Sequence, residues 1–271
     1  MKLDFTKLLE LYSDLGDKEL NIILNSISYS FNYDQENTIN IINILCDIKS
    51  NYHNFKIKYN QNIESSYFDY SNNIIYLNTT KTDLFIHELT HAIHYYKEKR
   101  STPKKFQDLF QNLVNDENFI SRCIDIIDYI SICKKNIYED IFFNKPKLTE
   151  PELPLKMALY DAIDDIIDAF TKGELYDKGL SFWKNNDSYI KKASKCPGHG
   201  PDYYKHEGNI FAEVIAQYST IRNTEYRIEL FKLLRLCLGD DMLNFLEEYY
   251  LNLTQGLFKK IINSEEINKL K

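Results

Sequence analysis

The sequence predicts an α+β fold that is mainly helical, with a small antiparallel sheet set directly before one central helix. Three observations carry this expectation. Apolar residues recur at helical spacing over most of the 271 residues, starting with Phe5, Leu8, Leu9 and Tyr12. The stretch 55–78 alone changes to a period of two. The stretch that follows, 82–98, returns to helical spacing and contains neither Gly nor Pro.

Taken in order, residues 4–50 read as helices that serve as a packing scaffold. Gly16-Asp17 ends one and caps the next, and Ile22, Ile23, Ile27, Ile39, Ile42 and Leu45 continue the apolar row. Phe55-Lys-Ile-Lys-Tyr59 alternates apolar and polar, Tyr67-Phe-Asp-Tyr70 does so less cleanly, and Ile74-Ile75-Tyr76-Leu77 is a third strand after the turn signal Ser71-Asn72-Asn73. Such a sheet can cover the next helix, and its edge strand can hold an extended chain by main-chain hydrogen bonds. Residues 105–145 are helical again, and Lys145-Pro146 with Pro151 and Pro154 mark a loop. A helix over 155–170 carries Asp161, Asp164, Asp165 and Asp168, expected to form a solvated face, and Lys172-Gly173 closes it. Residues 195–208 hold three of the eight glycines and two of the six prolines, which marks a long special loop. Asn209 then caps a helix over 210–218, and 224–263 form two or three more.

Composition bounds the rest. Hydrophobic content of 44% and charged content of 27% are ordinary for a globular protein. A net charge of −7 argues against a nucleic-acid or anionic-membrane partner, since both reward basic patches. The five cysteines, Cys46, Cys123, Cys133, Cys196 and Cys237, are odd in number and scattered, as expected of free thiols in a reducing compartment. Acidic residues stand where a signal peptide would be apolar, and no uninterrupted apolar run is as long as a membrane span. The expected location is the cytoplasm, or a reducing compartment such as a host cytosol reached without a cleaved leader.

The chemistry concentrates in His87-Glu88-Leu89-Thr90-His91, a His-Glu-x-x-His pattern. Thr82 or Asp83 can cap this helix, while Leu84, Leu89, Ala92 and Ile93 supply its apolar face. Residues four apart lie one above the other on a helix, so the imidazoles of His87 and His91 converge. Two neutral imidazoles make half of a tetrahedral Zn²⁺ site. Glu88 is offset by one position, beside the metal, where it can take a proton from an activated water. His94 is expected to support or pack against the site. A buried helix with two satisfied histidines and no metal is the plain alternative.

Two histidines leave zinc short of a third ligand. His199, His206, Glu207, Glu213 and the aspartates of 161–168 are candidates. Glu213 stands out because Phe-Ala-Glu-Val-Ile-Ala is apolar around it, and a carboxylate there is costly unless it is paired or bound to metal. A carboxylate at the core edge answering an Arg or Lys is the competing reading.

His87-Glu88-Leu89-Thr90-His91-Ala92 followed by Phe211-Ala212-Glu213-Val214-Ile215-Ala216 resembles the gluzincin group of zinc peptidases. The flavour is that of lethal-factor-like toxin peptidases and bacterial effector metalloproteases. The resemblance covers the motif helix, the strand before it and 199–218, under half of the chain. Asn209 stands where the usual Glu-x-x-Ala-Glu pattern has its first Glu, so either Glu213 takes the ligand role, with Gln217 supporting it, or Glu207 binds from the loop.

The resemblance implies a zincin-like catalytic core within 1–222, a helical insertion at about 105–195, and a C-terminal helical unit, 223–271. It also implies a zinc-dependent endopeptidase whose substrate is a host protein. The group stabilising the oxyanion falls on His206, with Tyr204 as alternative and Tyr203 beside them. Rival classes are a metal-free helical interaction module and a zinc aminopeptidase or other amidohydrolase.

Overall fold

The computed structural model describes residues 6–33, 35–143, 152–172, 203, 208–224 and 226–254. The order is α1 (Thr6–Leu11), α2 (Asp17–Tyr33), α3 (Gln35–Asn51), β1 (Lys56–Tyr59), β2 (Tyr67–Asp69), β3 (Ile74–Leu77) and α4 (Thr82–Glu98). Then come α5 (Lys104–Asn115), α6 (Phe119–Phe143), α7 (Glu152–Lys172), α8 (Asn209–Arg222) and α9 (Arg227–Leu253). The protein is mainly helical with one small sheet, as the periodicities require. No helix among the described residues is long and apolar enough to cross a membrane.

Contacts group the chain into two compact units. The first comprises Met1–Lys99, Arg222–Glu225 and Glu247–Ile261. Asp17 and Glu19 in the first turn of α2 complement the helix dipole. Ile22, Ile23, Leu45, Phe55, Ile75 and Phe85 are fully or almost fully buried. Two polar side chains inside this core bond to its main chain: Tyr12 donates its hydroxyl to Leu45 O (3.0 Å), and Lys49 Nζ donates to Phe55 O (2.9 Å) and also to Asp14. Arg222 donates to both carboxylate oxygens of Glu247 (3.0 and 3.1 Å), and this ion pair is 1% and 0% exposed.

The sheet corrects one expectation. It is mixed rather than antiparallel, with strand order β1-β3-β2. β1 runs parallel to β3, pairing Lys56 with Ile74 and Tyr59 with Leu77, whereas β2 runs antiparallel to it, pairing Tyr67 with Tyr76. The tight turn after Asp69 dictates the antiparallel pair. The Asp69 carboxylate accepts the backbone N–H of Ser71 and Asn72 and the Asn72 amide, which holds it below the usual carboxylate range. Alternation of apolar residues is the same in both kinds of ladder, so the pattern could not reveal that β1 adds to the far side of β3. At the end of β1, Glu19 Oε1 on α2 accepts the Tyr59 N–H at 2.8 Å. The inner face of the sheet, Ile57, Ile75 and Leu77, is buried, and Tyr96 of α4 meets Phe55 and Phe68 edge-on.

The second unit comprises Arg100–Ile221, Tyr226–Leu246 and Ile262–Lys271. Its core is aromatic: Phe106 lies within about 6 Å, centroid to centroid, of Phe110, Phe170, Phe211 and Phe245. Gly239, at φ 77°, breaks α9 into two segments, in keeping with the several helices expected there.

Asp164 in the acidic stripe of α7 departs from the solvated face expected of it. Lys134 of α6 bridges Asp161 and Asp164, and Asp164 is only 5% exposed. A lysine from the neighbouring helix offsets the cost of burying these carboxylates.

Candidate metal centre

Helix α4 starts at Thr82. Lys81 occupies the N-cap position and makes no side-chain cap bond, so neither Thr82 nor Asp83 is the cap. Asp83 instead lies in the first turn, where burial pushes its carboxyl above the usual range. The helix ends at Lys99, a left-handed residue (φ 52°) whose N–H reaches Tyr95 O. Phe85, Leu89, Ala92 and Ile93 are buried along one side and fix the rotation of the helix.

That rotation sets the histidines. His87 Nε2 and His91 Nε2 lie 3.0 Å apart, with the rings at 80° to each other and their centroids 4.7 Å apart. Two ligands about 2.05 Å from a tetrahedral metal would be roughly 3.3 Å apart, so the pair needs little adjustment to share one cation. His87 is 8% exposed and the adjacent Glu88 5%. His94 is fully buried, with its ring edge-on to that of Tyr249 at 6.1 Å.

Glu213 is 4% exposed on α8, between neighbours that are completely buried: Phe211, Ala212, Val214, Ile215 and Ala216. The Tyr203 hydroxyl donates to Glu213 Oε1 at 2.6 Å. Burial pushes the Tyr203 phenol well above its usual range, and the Glu213 charge adds to the rise. Gln217, one turn on, donates to Asp165 Oδ2 of α7 at 2.7 Å.

His87, His91 and Glu213 form a group that could hold a metal ion: one ligand atom from each, all within 4.8 Å of one another. Comparison with protein-family models, curated proteins and solved structures returned no match. The chemistry of the group therefore has to be read from its own atoms. Two imidazole nitrogens and one carboxylate oxygen are a borderline-soft donor set, suited to Zn²⁺ and poorly suited to Mg²⁺ or Ca²⁺, which prefer all-oxygen ligation.

Of the remaining sequence candidates, His199, Tyr204, His206 and Glu207 lie outside the described residues. Sequence reasoning passed over the part of Tyr203, named only as a neighbour of His206, and that of Arg100. Arg100 Nη2 donates to Asn209 Oδ1 (2.8 Å), and Asn209 Nδ2 donates to Tyr203 O (2.8 Å). Neither residue belongs to a motif. The one available signal was a tyrosine in a Gly/Pro-dense loop ahead of a buried carboxylate.

Proposed function

We propose that this chain is a zinc-dependent endopeptidase with a zincin-like, gluzincin-type core, in which His87, His91 and Glu213 hold Zn²⁺ and Glu88 is the general base. The observation that carries the reading is the three-donor group of two imidazoles and a carboxylate, with a buried Glu one position from the first histidine. When bound, Zn²⁺ supplies the Lewis acidity of the site.

The protein's own groups do the rest. His87 and His91, one turn apart on a helix locked by its apolar side, offer preformed ligation. Glu88 accepts a proton from the attacking water and delivers it to the leaving amine. Its burial raises the strength of each electrostatic contact it makes there. On the gluzincin resemblance, the task of stabilising the charge that develops on the substrate carbonyl oxygen falls to His206, with Tyr204 as its alternative. The substrate is a protein, laid as an extended chain along a sheet edge. The resemblance to effector peptidases makes it a host protein.

The test is metal analysis together with hydrolysis. Purified protein should carry about one zinc per chain, as a three-ligand site requires, and should cleave N-blocked peptides in its presence. Stoichiometric zinc in the His87→Ala/His91→Ala double variant would refute the site. Cleavage restricted to peptides with a free amino terminus would replace the endopeptidase with an aminopeptidase.

A further inference from the structure

The half-buried phenol of Tyr203 has a more specific use than filling space. Its hydroxyl lies 2.6 Å from Glu213 Oε1, within the range of a charge-assisted hydrogen bond. We propose that Tyr203 is the positioning residue for Glu213, holding one carboxylate oxygen so that the side chain keeps the orientation needed to ligate a zinc ion. The inference rests on the metal reading above and goes beyond it to the group that tunes the ligand.

Three features support it. A glutamate carries three rotatable bonds, so a Glu at a metal site must be held by something other than its own rotamer preferences. The aliphatic and aromatic neighbours of Glu213 on α8 offer no side-chain donor of their own. Tyr203 does, from outside the helix, and it is fixed in turn. Asn209 Nδ2 donates to its main-chain oxygen, and Arg100 Nη2 donates to Asn209 Oδ1. Gly208 completes the clamp. Its φ of 83° is one that side chains rarely adopt, and a Cβ added there would sit 2.7 Å from Arg100 O, so Gly208 itself lies close against the Arg100 backbone. From Arg100 through Asn209 to Tyr203 and on to Glu213, one chain of hydrogen bonds sets the carboxylate.

The experiment is a competitive titration with Zn²⁺ itself, in a chelator-buffered solution, on the full chain. Parent, Tyr203→Phe, Glu213→Gln and the double variant are compared. Tyr203→Phe removes one oxygen and keeps the ring, and matching circular dichroism confirms the fold. Loss of a group that orients a ligand typically weakens metal binding about ten- to a hundredfold, and Tyr203→Phe is expected in that range. Because Tyr203 acts through Glu213, its replacement should cost nothing further in the Glu213→Gln background. A merely structural tyrosine would give the same loss in both backgrounds.

Parent-like zinc affinity in Tyr203→Phe, or additive losses in the double variant, would overturn the positioning role while leaving the metal site standing. Absence of zinc binding in the parent would overturn the metal reading itself. The two failures are thus told apart.

Discussion

Replacing Glu213 with Ala separates a metal ligand from a packing carboxylate, because the two roles change different quantities. As a ligand, Glu213 links zinc to folding. At zinc one hundred times the dissociation constant, binding to the native state alone adds about 2.7 kcal/mol of stability. If Glu213→Ala weakens binding a hundredfold, the same zinc concentration equals the new dissociation constant, and the increment falls to about 0.4 kcal/mol. The expected loss of zinc-dependent stabilisation is therefore about 2.3 kcal/mol, the difference between those two values.

The metal-free protein behaves separately. The substitution takes the acceptor from Tyr203, which costs about 1–3 kcal/mol, but it also relieves a carboxylate held among apolar neighbours. Those effects oppose each other and fall equally on measurements with and without metal. Urea unfolding of parent and variant, each with and without buffered zinc, yields the increment directly. Glu207→Ala serves as the control and should keep the parent increment. An undiminished increment in Glu213→Ala, or its loss in Glu207→Ala, would refute the assignment.

Two further outcomes follow from the geometry. Glu88→Gln preserves shape but cannot accept a proton, so it should retain zinc in metal analysis while losing about a hundredfold or more in hydrolysis rate; near-parent activity would remove Glu88 from the mechanism. Glu247→Ala strands the Arg222 guanidinium, which is 1% exposed, without its bidentate partner, and should cost about 3–5 kcal/mol in urea unfolding. A loss below about 1 kcal/mol would show water reaching that pair.

How far these sites could be read from the sequence depends on how local their causes are. The His87–His91 pair was legible because four residues make about one helical turn, and nothing distant alters that spacing. Glu213 was legible for a different reason: a carboxylate flanked by Phe, Ala, Val and Ile demands an explanation wherever the helix packs. The direction of β1 was not, since strand pairing is a relation between segments and alternation records only which face is buried.

The burial of Asp164 and its pairing with Lys134 were missed for the same reason. That lysine lies 27 residues before Asp161, which it also bonds, and nothing near either residue announces the other. The Tyr203 hydroxyl and Arg100 belong in this second group as well. Their roles depend on contacts among Arg100, Tyr203 and Asn209 that only three-dimensional placement reveals.

The bond from Tyr59 N–H to Glu19 also limits how this sheet can grow. In β1, Lys56 and Asn60 direct their N–H groups inward to Asn73 O and Leu77 O of the β3 segment, so Tyr59, an odd number of residues from each, directs its own outward. A border strand ordinarily presents such donors to any chain that drifts alongside, and proteins blunt the hazard with charges and bulges. Here a carboxylate from α2 already occupies one of the outward donors. A newcomer would have to displace it to reach the Tyr59 N–H. The sheet has two borders, and with the Tyr59 donor of this one latched, strand addition of a recruited polypeptide is favoured along β2.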